Sequence, residues 1–495
     1  MKVKLLLTIF MMLPLAASAE LLGPVEIDGI YYNLNTEGNT AEVRENPQHY
    51  SGDIKIPETV TYEDVVYSVT SIRWEAFKLC YGLTSVSIAN SVTTIGDAAF
   101  QYCNALNSIT IPASVTTIGV DVFSGCNNLE KVIVPDIAAW CRIRFGENPL
   151  LYAHHLYSDE NTEIKDLVIP DGVMYISSCA FIGCSGLTSI TFPESLTAIG
   201  GSAFRYCSGL TSVTIGNSIT LIESYAFANC SGLSSITLGN SVWTIGEYVF
   251  NDCSALTAVI LPKSVTSIGK SAFDGCRLEN VLTKNAKINF NEAFSDRTYQ
   301  HAMLYVPEGS WGEAVYESSW YLFNNIREAA MTSGSLSPAV AYTLMDVNSF
   351  GYATYDAASD EVRMAKAFYS IDEQDVNNSW QVKTQGEQKY LYNIGAKKYA
   401  SIASDGHISL SESPTAVTMT ETDNGILIGT DNSRQWAFIK NGSLPDATGI
   451  DAQTAISGQQ PSSYYTVDGQ RLAQPKQGLN IIHMSNGTTK KVVVR

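Results

Sequence analysis

The sequence predicts a solenoid of short parallel strands with a 23-residue period and a turn or short helix on its convex side, followed by an all-β module. Phe181, Phe204, Phe227, Phe250 and Phe273 each stand three residues before Cys184, Cys207, Cys230, Cys253 and Cys276, and those cysteines are 23 residues apart. The same Phe-x-x-Cys step occurs earlier at Cys80, Cys103 and Cys126. A fixed period of this size marks an array in which each repeat buries its apolar edge only against its neighbours. From Met331 the period gives way to Ser, Thr, Gly and Tyr, with strand-like runs at Tyr390 to Ile394, Gly425 to Gly429 and Gln435 to Ile439 between Asp, Asn and Gly turns. Such runs predict an all-β region over residues 331–455.

At 495 residues the chain exceeds one ordinary core and divides into several units. Residues 1–19 have the three parts of a secretory signal: Lys2 and Lys4, an apolar run from Leu5 to Leu15, and Ala17-Ser18-Ala19. Cleavage there leaves Glu20 first, with no cysteine to carry a lipid, and no later apolar run is long enough to span a bilayer. The expectation is an exported protein, secreted or held at the cell surface. Its net charge is −18, about −20 without Lys2 and Lys4, and no basic cluster interrupts it. An acidic surface repels phosphate backbones and anionic headgroups, which argues against nucleic acid and against direct membrane insertion.

Residues 20–57 read as an N-terminal cap, with a strand-like Gly29 to Tyr32 and an Ile54-Lys55-Ile56-Pro57 that anticipates the repeats. A cap is needed because a bare terminal repeat exposes core and strand edges. Residues 58–276 hold the repeats. Three residues beyond each cysteine stands a leucine such as Leu106 or Leu210, followed by β-branched residues at alternate positions, as in Ile109-Thr110-Ile111-Pro112. That alternation is a strand with one buried face, and the proline ends it. A second apolar pair follows, such as Val265 with Ile268, then a corner glycine (Gly96, Gly119, Gly200, Gly246, Gly269) suited to positive φ, then Ala-Phe. Glu223 and Ser177 replace that glycine in two coils, and Leu278 comes one position early.

The unit Leu-x-x-Ile-x-Ile-Pro-x-x-Val-x-x-Ile-Gly-x-x-Ala-Phe-x-x-Cys resembles the BspA-type leucine-rich repeat of bacterial surface proteins, over roughly residues 50–330. The resemblance implies a parallel-stranded leucine-rich-repeat solenoid at the cell surface, often engaged in adhesion to host or partner-cell proteins. It implies no catalytic residue and no cofactor. The last stretch, Tyr465 to Leu472, Gly478 to Ile482 and Lys490 to Val494, is similar to the C-terminal tails of exported Bacteroidetes-type proteins, including sorting domains. Residues 456–495 are therefore taken as a linker and a short sorting-like tail.

Between Cys126 and Cys184 lie 58 residues, 12 more than two periods, which places an insertion at about residues 136–166. A loop bulging from the solenoid is expected there, either a binding loop or a tolerated insertion packed by its own Trp140 and Phe145. Residues 277–330 lose the period and read as a C-terminal cap, with Glu313 to Arg327, carrying Trp320, Phe323 and Ile326, as an aromatic helix behind Trp311.

Ten cysteines suggest five disulfides, but eight occupy one repeat position. Stacked residues repeat at ~4.8 Å with parallel Cα–Cβ vectors, whereas a disulfide needs Cβ atoms ~3.8 Å apart and tilted together. The column is read as buried thiols filling space. Cys141 and Cys179 fall outside it and are either two more free thiols or a bridge pinning the insertion. No Cys-x-x-Cys, His-Glu-x-x-His or calcium loop occurs, so no metal site is expected. His154 and His155 are adjacent and on a strand face opposite ways. Cys141 with either histidine lacks an orienting group and an oxyanion site, and the chain is not expected to be an enzyme.

The candidate ligand face lies between the buried strand residues: Ser85, Ser87, Ser108, Thr110, Ser189, Thr191, Ser212, Thr214, Ser235 and Thr237. Stacking turns them into two rows of hydroxyls, interrupted by Lys131 with Ile133 and by Ala258 with Ile260. The rows either keep a sheet soluble or offer a broad contact to an extracellular protein or glycan. The leading functional reading is adhesion-type binding of extracellular protein ligands through the repeat face. Its alternatives are a glycan-binding accessory protein acting through residues 331–455, where Trp380, Tyr390, Tyr392 and Trp436 form either a sugar platform or core, and a structural surface-coat protein.

Overall fold

The computed structural model describes residues 21–310, 314, 318–331, 336, 340–365, 376–422, 425–429 and 434–443, with the strands Pro461–Thr466, Arg471–Leu472, Gly478–Met484 and Thr489–Val494. The expected signal segment 1–19, Trp311 and linker residues 454–460 lie outside the described residues. The chain forms two compact units, one ending at Ala329 and the other starting at Ala330.

In the first unit an antiparallel hairpin, Leu21–Ile27 with Ile30–Asn35, is joined by Thr40–Val43, which turns parallel onto Val65–Ile72. Tyr32, Leu34, Ala41 and Val43 of this hairpin layer are buried at the end of the core. Two parallel ladders then run through the coils. The first starts with Ser51–Lys55, Gly82–Ser87, Ser108–Thr110, Lys131–Ile133 and Leu156–Tyr157. The second starts with Val65–Ile72, Thr94–Ile95, Thr117–Ile118 and Arg144–Phe145. Beyond the insertion the second ladder resumes at Tyr175–Ile176 and continues to Asn289–Phe290. Each strand is short because proline or a turn ends it after one or two buried side chains.

The third side of each coil is a turn carrying Ala-Phe-x-x-Cys. Phe204 is stacked 5.2 Å from Phe181 and 5.3 Å from Phe227, and a second run of stacked rings joins Phe77, Phe100 and Phe123. Each of these rings is fully buried, worth about 1.5–3 kcal/mol by area and about 0.5–1.5 kcal/mol more as a stacked pair. The amide of each Phe donates to the next coil, Phe77 to Ala99 and Phe204 to Ala226 among them. The corner glycines serve a purpose other than positive φ. A Cβ on Gly96 would lie 2.5 Å from the Trp74 nitrogen, and one on Gly269 2.4 Å from that of Glu247, so the position is kept bare by the coil below. The left-handed residues stand two places later, at Ala98, Asp121, Ser202, Tyr225, Tyr248 and Ser271.

The insertion is a widened coil, and only the hairpin joining Tyr157 to Glu163 bulges from it. Arg144–Phe145 and Leu156–Tyr157 stay in the two ladders; one short helix, Ile137–Trp140, lies between the first-ladder strand Lys131–Ile133 and Arg144–Phe145, and a second, Leu150–Ala153, takes the place of the Ala-Phe turn. This coil has no Ala-Phe turn, so the main-chain bonds of that side are replaced by side chains. The Glu147 carboxylate accepts from the Phe123 amide at 3.0 Å. Asn148, fully buried, donates to the carbonyls of Cys179 and Ala180, and the Trp140 indole donates to Ala180 at 2.7 Å.

Past Cys276 the stacking continues from Ala258–Leu261 onto Asn280–Thr283, Met303–Pro307 and Asn325–Ala330, all parallel. The helix expected over Glu313 to Arg327 does not extend through its aromatic part: Ala314 is helical, but the described residues from Ser319 on are not in an α-helix. Ser319–Leu322 is one 3-10 turn and Asn325–Ala330 is a strand, because the exposed edge of Met303–Pro307 takes up its N–H and C=O groups. Trp320 and Phe323 still cover the ring column, 6.1 Å and 5.3 Å from Phe294.

The second unit is all-β. Val340–Asp346 pairs antiparallel with Trp436–Ser443 and meets Trp380–Gln385, which continues through Gln388–Asn393 and Lys398–Ile402 to Ile408–Ser411. Tyr342, Leu344, Trp380, Leu391, Ile426, Trp436 and Phe438 form its core. The four C-terminal strands make an antiparallel sheet of their own.

Replacing Asn148 by Ala leaves the Leu150 amide without its partner, since the Asn148 Oδ1 accepts from it at 2.8 Å, while the Ala180 and Cys179 carbonyls keep the Trp140 indole and the Ile182 amide. Asn148→Ala is expected to cost about 1–3 kcal/mol in urea unfolding followed by circular dichroism. Asn161→Ala, at an exposed position, is expected to stay within about 0.5 kcal/mol.

Candidate functional site

The register decides which hydroxyls become neighbours. Ser85 pairs with Ser108, and beyond them Lys131 faces Ser108 and Ile133 faces Thr110. Ser87 lies opposite Lys55. After the insertion Asp166 pairs with Ser189 and Val168 with Thr191, then Ser212 with Ser235 and Thr214 with Thr237. The ten residues thus form two groups, Ser85 to Thr110 and Ser189 to Thr237, with the insertion between them. Val86, Ile109, Ile190, Val213 and Ile236 stand between them in each strand with their side chains in the core.

Each group begins with an aspartate that the pattern of serines and threonines did not reveal. Asp53 accepts from Ser85 at 2.6 Å and from Thr84 at 2.8 Å. Asp166 accepts from Ser189 at 2.5 Å and from Thr188 at 3.1 Å. In both cases the serine hydroxyl, then the threonine hydroxyl, stabilises the charged form and holds the carboxyl below its usual range. A signal was present in the sequence, since Asp53 and Asp166 occupy the serine position of their own coils. Ser212, Thr214, Ser235 and Thr237 are all exposed, and none of the four side chains is engaged among the described residues.

All ten cysteines are free thiols, Cys141 and Cys179 included, so no bridge pins the insertion. The column does more than fill space. Cys103, Cys126, Cys207, Cys230, Cys253 and Cys276 donate S–H to the carbonyls of Phe77, Phe100, Phe181, Phe204, Phe227 and Phe250 at 3.0–3.2 Å. Burial pushes Cys141 and Cys184 up to about 12, which makes both poor nucleophiles. The His154 Nδ1 is taken by the Gly183 carbonyl, and that of His155 by Glu163 at 2.6 Å. Among the described residues no group of three His, Cys, Asp or Glu side chains is placed to hold a metal ion. No described helix is long and apolar enough to cross a membrane.

In the all-β unit Trp380 and Trp436 are fully buried and Tyr390 nearly so. The Lys383 amine lies 3.3 Å from the ring centroid of Tyr392. These four aromatics form core and a covered ring, not an open stacking platform.

Residues 55–140 and 156–280 match the BspA type leucine rich repeat region, in 6 copies. That part of the chain is a leucine-rich-repeat solenoid, similar to the BspA type. Its unmatched residues, 141–155, are those of the widened coil. Among solved structures, a leucine-rich repeat protein from Bacteroides ovatus is 27% identical, with 61% of this chain and 76% of that one covered and a TM-score of 0.43. A leucine rich cell surface protein from Faecalibacterium prausnitzii is 21% identical, covering 62% and 95% with a TM-score of 0.28. The pneumococcal vaccine antigen PcpA is 18% identical, covering 61% and 97% with a TM-score of 0.36. No curated protein matches the sequence.

The cysteine column yields a direct labelling result. Native protein kept without reductant is expected to take up maleimide at Cys179 at most, and at all ten cysteines in urea, read by intact mass. Uptake of fewer than ten in urea would reveal a bridge. For the aspartates, a folded-state pKa below the unfolded one means that the unfolded chain binds protons first as the pH falls. Their contribution to stability is present at neutral pH and is lost on acidification through and below the ordinary carboxylate range. The thermal midpoint of Asp53→Asn/Asp166→Asn is expected to lie below that of the unmodified protein at pH 7, and the gap is expected to close towards pH 2.5.

Proposed function

We propose that the protein is an exported surface protein of adhesion type, which binds an extracellular protein ligand through the hydroxyl face of its repeats. The observation that carries this reading is the square of Ser212, Thr214, Ser235 and Thr237, held in register on adjoining strands, exposed and uncommitted. Hydroxyls on a rigid sheet lose little side-chain entropy on binding and are inexpensive to desolvate, so many weak contacts add up. A rigid base supplies the other requirement, because the buried Val213 and Ile236 fix the backbone beneath them. The signal-like N-terminus supports export, and the tail similar to sorting domains supports a surface address.

The experiment is surface plasmon resonance of the full chain against a panel of immobilised extracellular-matrix proteins. Any one of Ser212→Ala, Thr214→Val, Ser235→Ala or Thr237→Val is expected to weaken binding by less than about fivefold, as a single exposed hydrogen bond does. The four together are expected to abolish it. Undiminished binding by the fourfold variant would overturn the assignment of the face.

A further inference from the structure

The other hydroxyl group, before the insertion, lies in a depression of about 400 Å³. Ser85, Ser87, Ser108, Thr110 and Lys131 form its floor, and Glu160 with Asn161 form a wall at one end. The wall is built to stay in place. Tyr157 bridges Glu163 in an antiparallel hairpin, and at its tip the Asp159 carboxylate accepts from the amides of Asn161 and Thr162. Lys131 ties tip to floor, donating from Nζ to the Glu160 carbonyl at 3.3 Å while lying 5.1 Å from the centre of the Tyr157 ring. The extra residues of the chain therefore convert one end of an open sheet face into a trough closed on one side.

The trough's chemistry restricts its occupant. Its hydroxyls each donate and accept, except that of Ser85, which gives its proton to Asp53 and accepts only, and they repeat across the strands at ~4.8 Å. An extended peptide laid across the strands presents same-side groups every ~6.6 Å and falls out of step. It also finds no free strand edge to pair with, because the floor is a face and not an edge. A chain of pyranose rings advances by about one strand spacing per ring and keeps step. Charge is balanced, since Asp53 and Lys55 adjoin Ser85 and Ser87 in register and Lys131 is matched by Glu160. Nothing there favours a charged ligand. The Tyr157 ring is covered by Lys131, so recognition is polar and does not use ring stacking.

We propose that this trough binds a neutral, hydroxyl-rich oligosaccharide, lying across the strands from Gly82–Ser87 to Lys131–Ile133 with one end against Glu160 and Asn161. The site uses none of the four hydroxyls assigned to the protein ligand, and the two assignments stand or fall separately. The test is isothermal titration of the full chain with cellohexaose, xylohexaose, maltohexaose and chitohexaose, and with hexagalacturonate as the acidic comparator. At least one neutral hexasaccharide is expected to bind, and more tightly than hexagalacturonate. Glu160→Ala/Asn161→Ala, at the exposed hairpin tip, and Thr110→Val, on the floor, are each expected to weaken it roughly tenfold with the thermal midpoint unchanged. The Ser212/Thr214/Ser235/Thr237 variant is expected to bind the sugar as the unmodified protein does. Absence of binding by all four neutral sugars, tighter binding of hexagalacturonate, or full affinity in both trough variants would overturn the proposal.

Discussion

The solenoid depends on one constraint, that the main-chain polar groups inside each coil must be answered by the coil beside it. A buried N–H or C=O without a partner costs as much as a lost hydrogen bond, and an array with a closed cross-section has no water to supply one. The Phe carbonyl shows how completely this is met. That of Phe100 accepts from the Cys103 amide of its own turn and from the Cys126 thiol of the next coil, while the Phe100 amide donates onward to Val122. Only a repeat of constant length brings those three groups together every time. The cysteine is thus chosen as a small buried donor, and its column explains why the period is so strictly kept.

The widened coil between Cys126 and Cys184 obeys the same rule by other means. It keeps its two strands in the ladders, where register cannot be relaxed, and abandons the Ala-Phe turn, where side chains can substitute. Glu147 replaces a carbonyl for Phe123, and Asn148 with Trp140 replaces an amide for Ala180. The residues left over leave the cross-section as the hairpin through Glu160 and Asn161. The wall of the trough is a by-product of how the polar accounts of that coil were closed.

Most of the architecture was legible in the sequence because it rests on periodicity. Phe, Cys and Leu at fixed offsets reveal the stack, and alternate Ser and Thr reveal its outer face. What was not legible falls into two kinds. The corner glycines read as positive-φ residues, whereas they are bare because Trp74 or Glu247 in the neighbouring coil comes too near, a distance that no local pattern encodes. The aromatic run around Trp320 and Phe323 reads as a helix, but the unpaired edge at Met303–Pro307 recruits Asn325–Ala330 as a strand. Tertiary hydrogen bonding overrides local preference there. In the candidate face the hydroxyls could be named from the sequence. Asp53 and Asp166 are marked there only by standing at the serine position of their own coils, and the bonds they accept from the next strand become visible only with the register.

The seam at Asn148 also separates two arrays built on the same 23-residue repeat. Since side chains and not a shared turn join them, a coil gained or lost on one side need not disturb the phase of the other. The repeat unit is in this sense spliced, so that either segment can be lengthened or shortened without rebuilding the joint or the notch beside it.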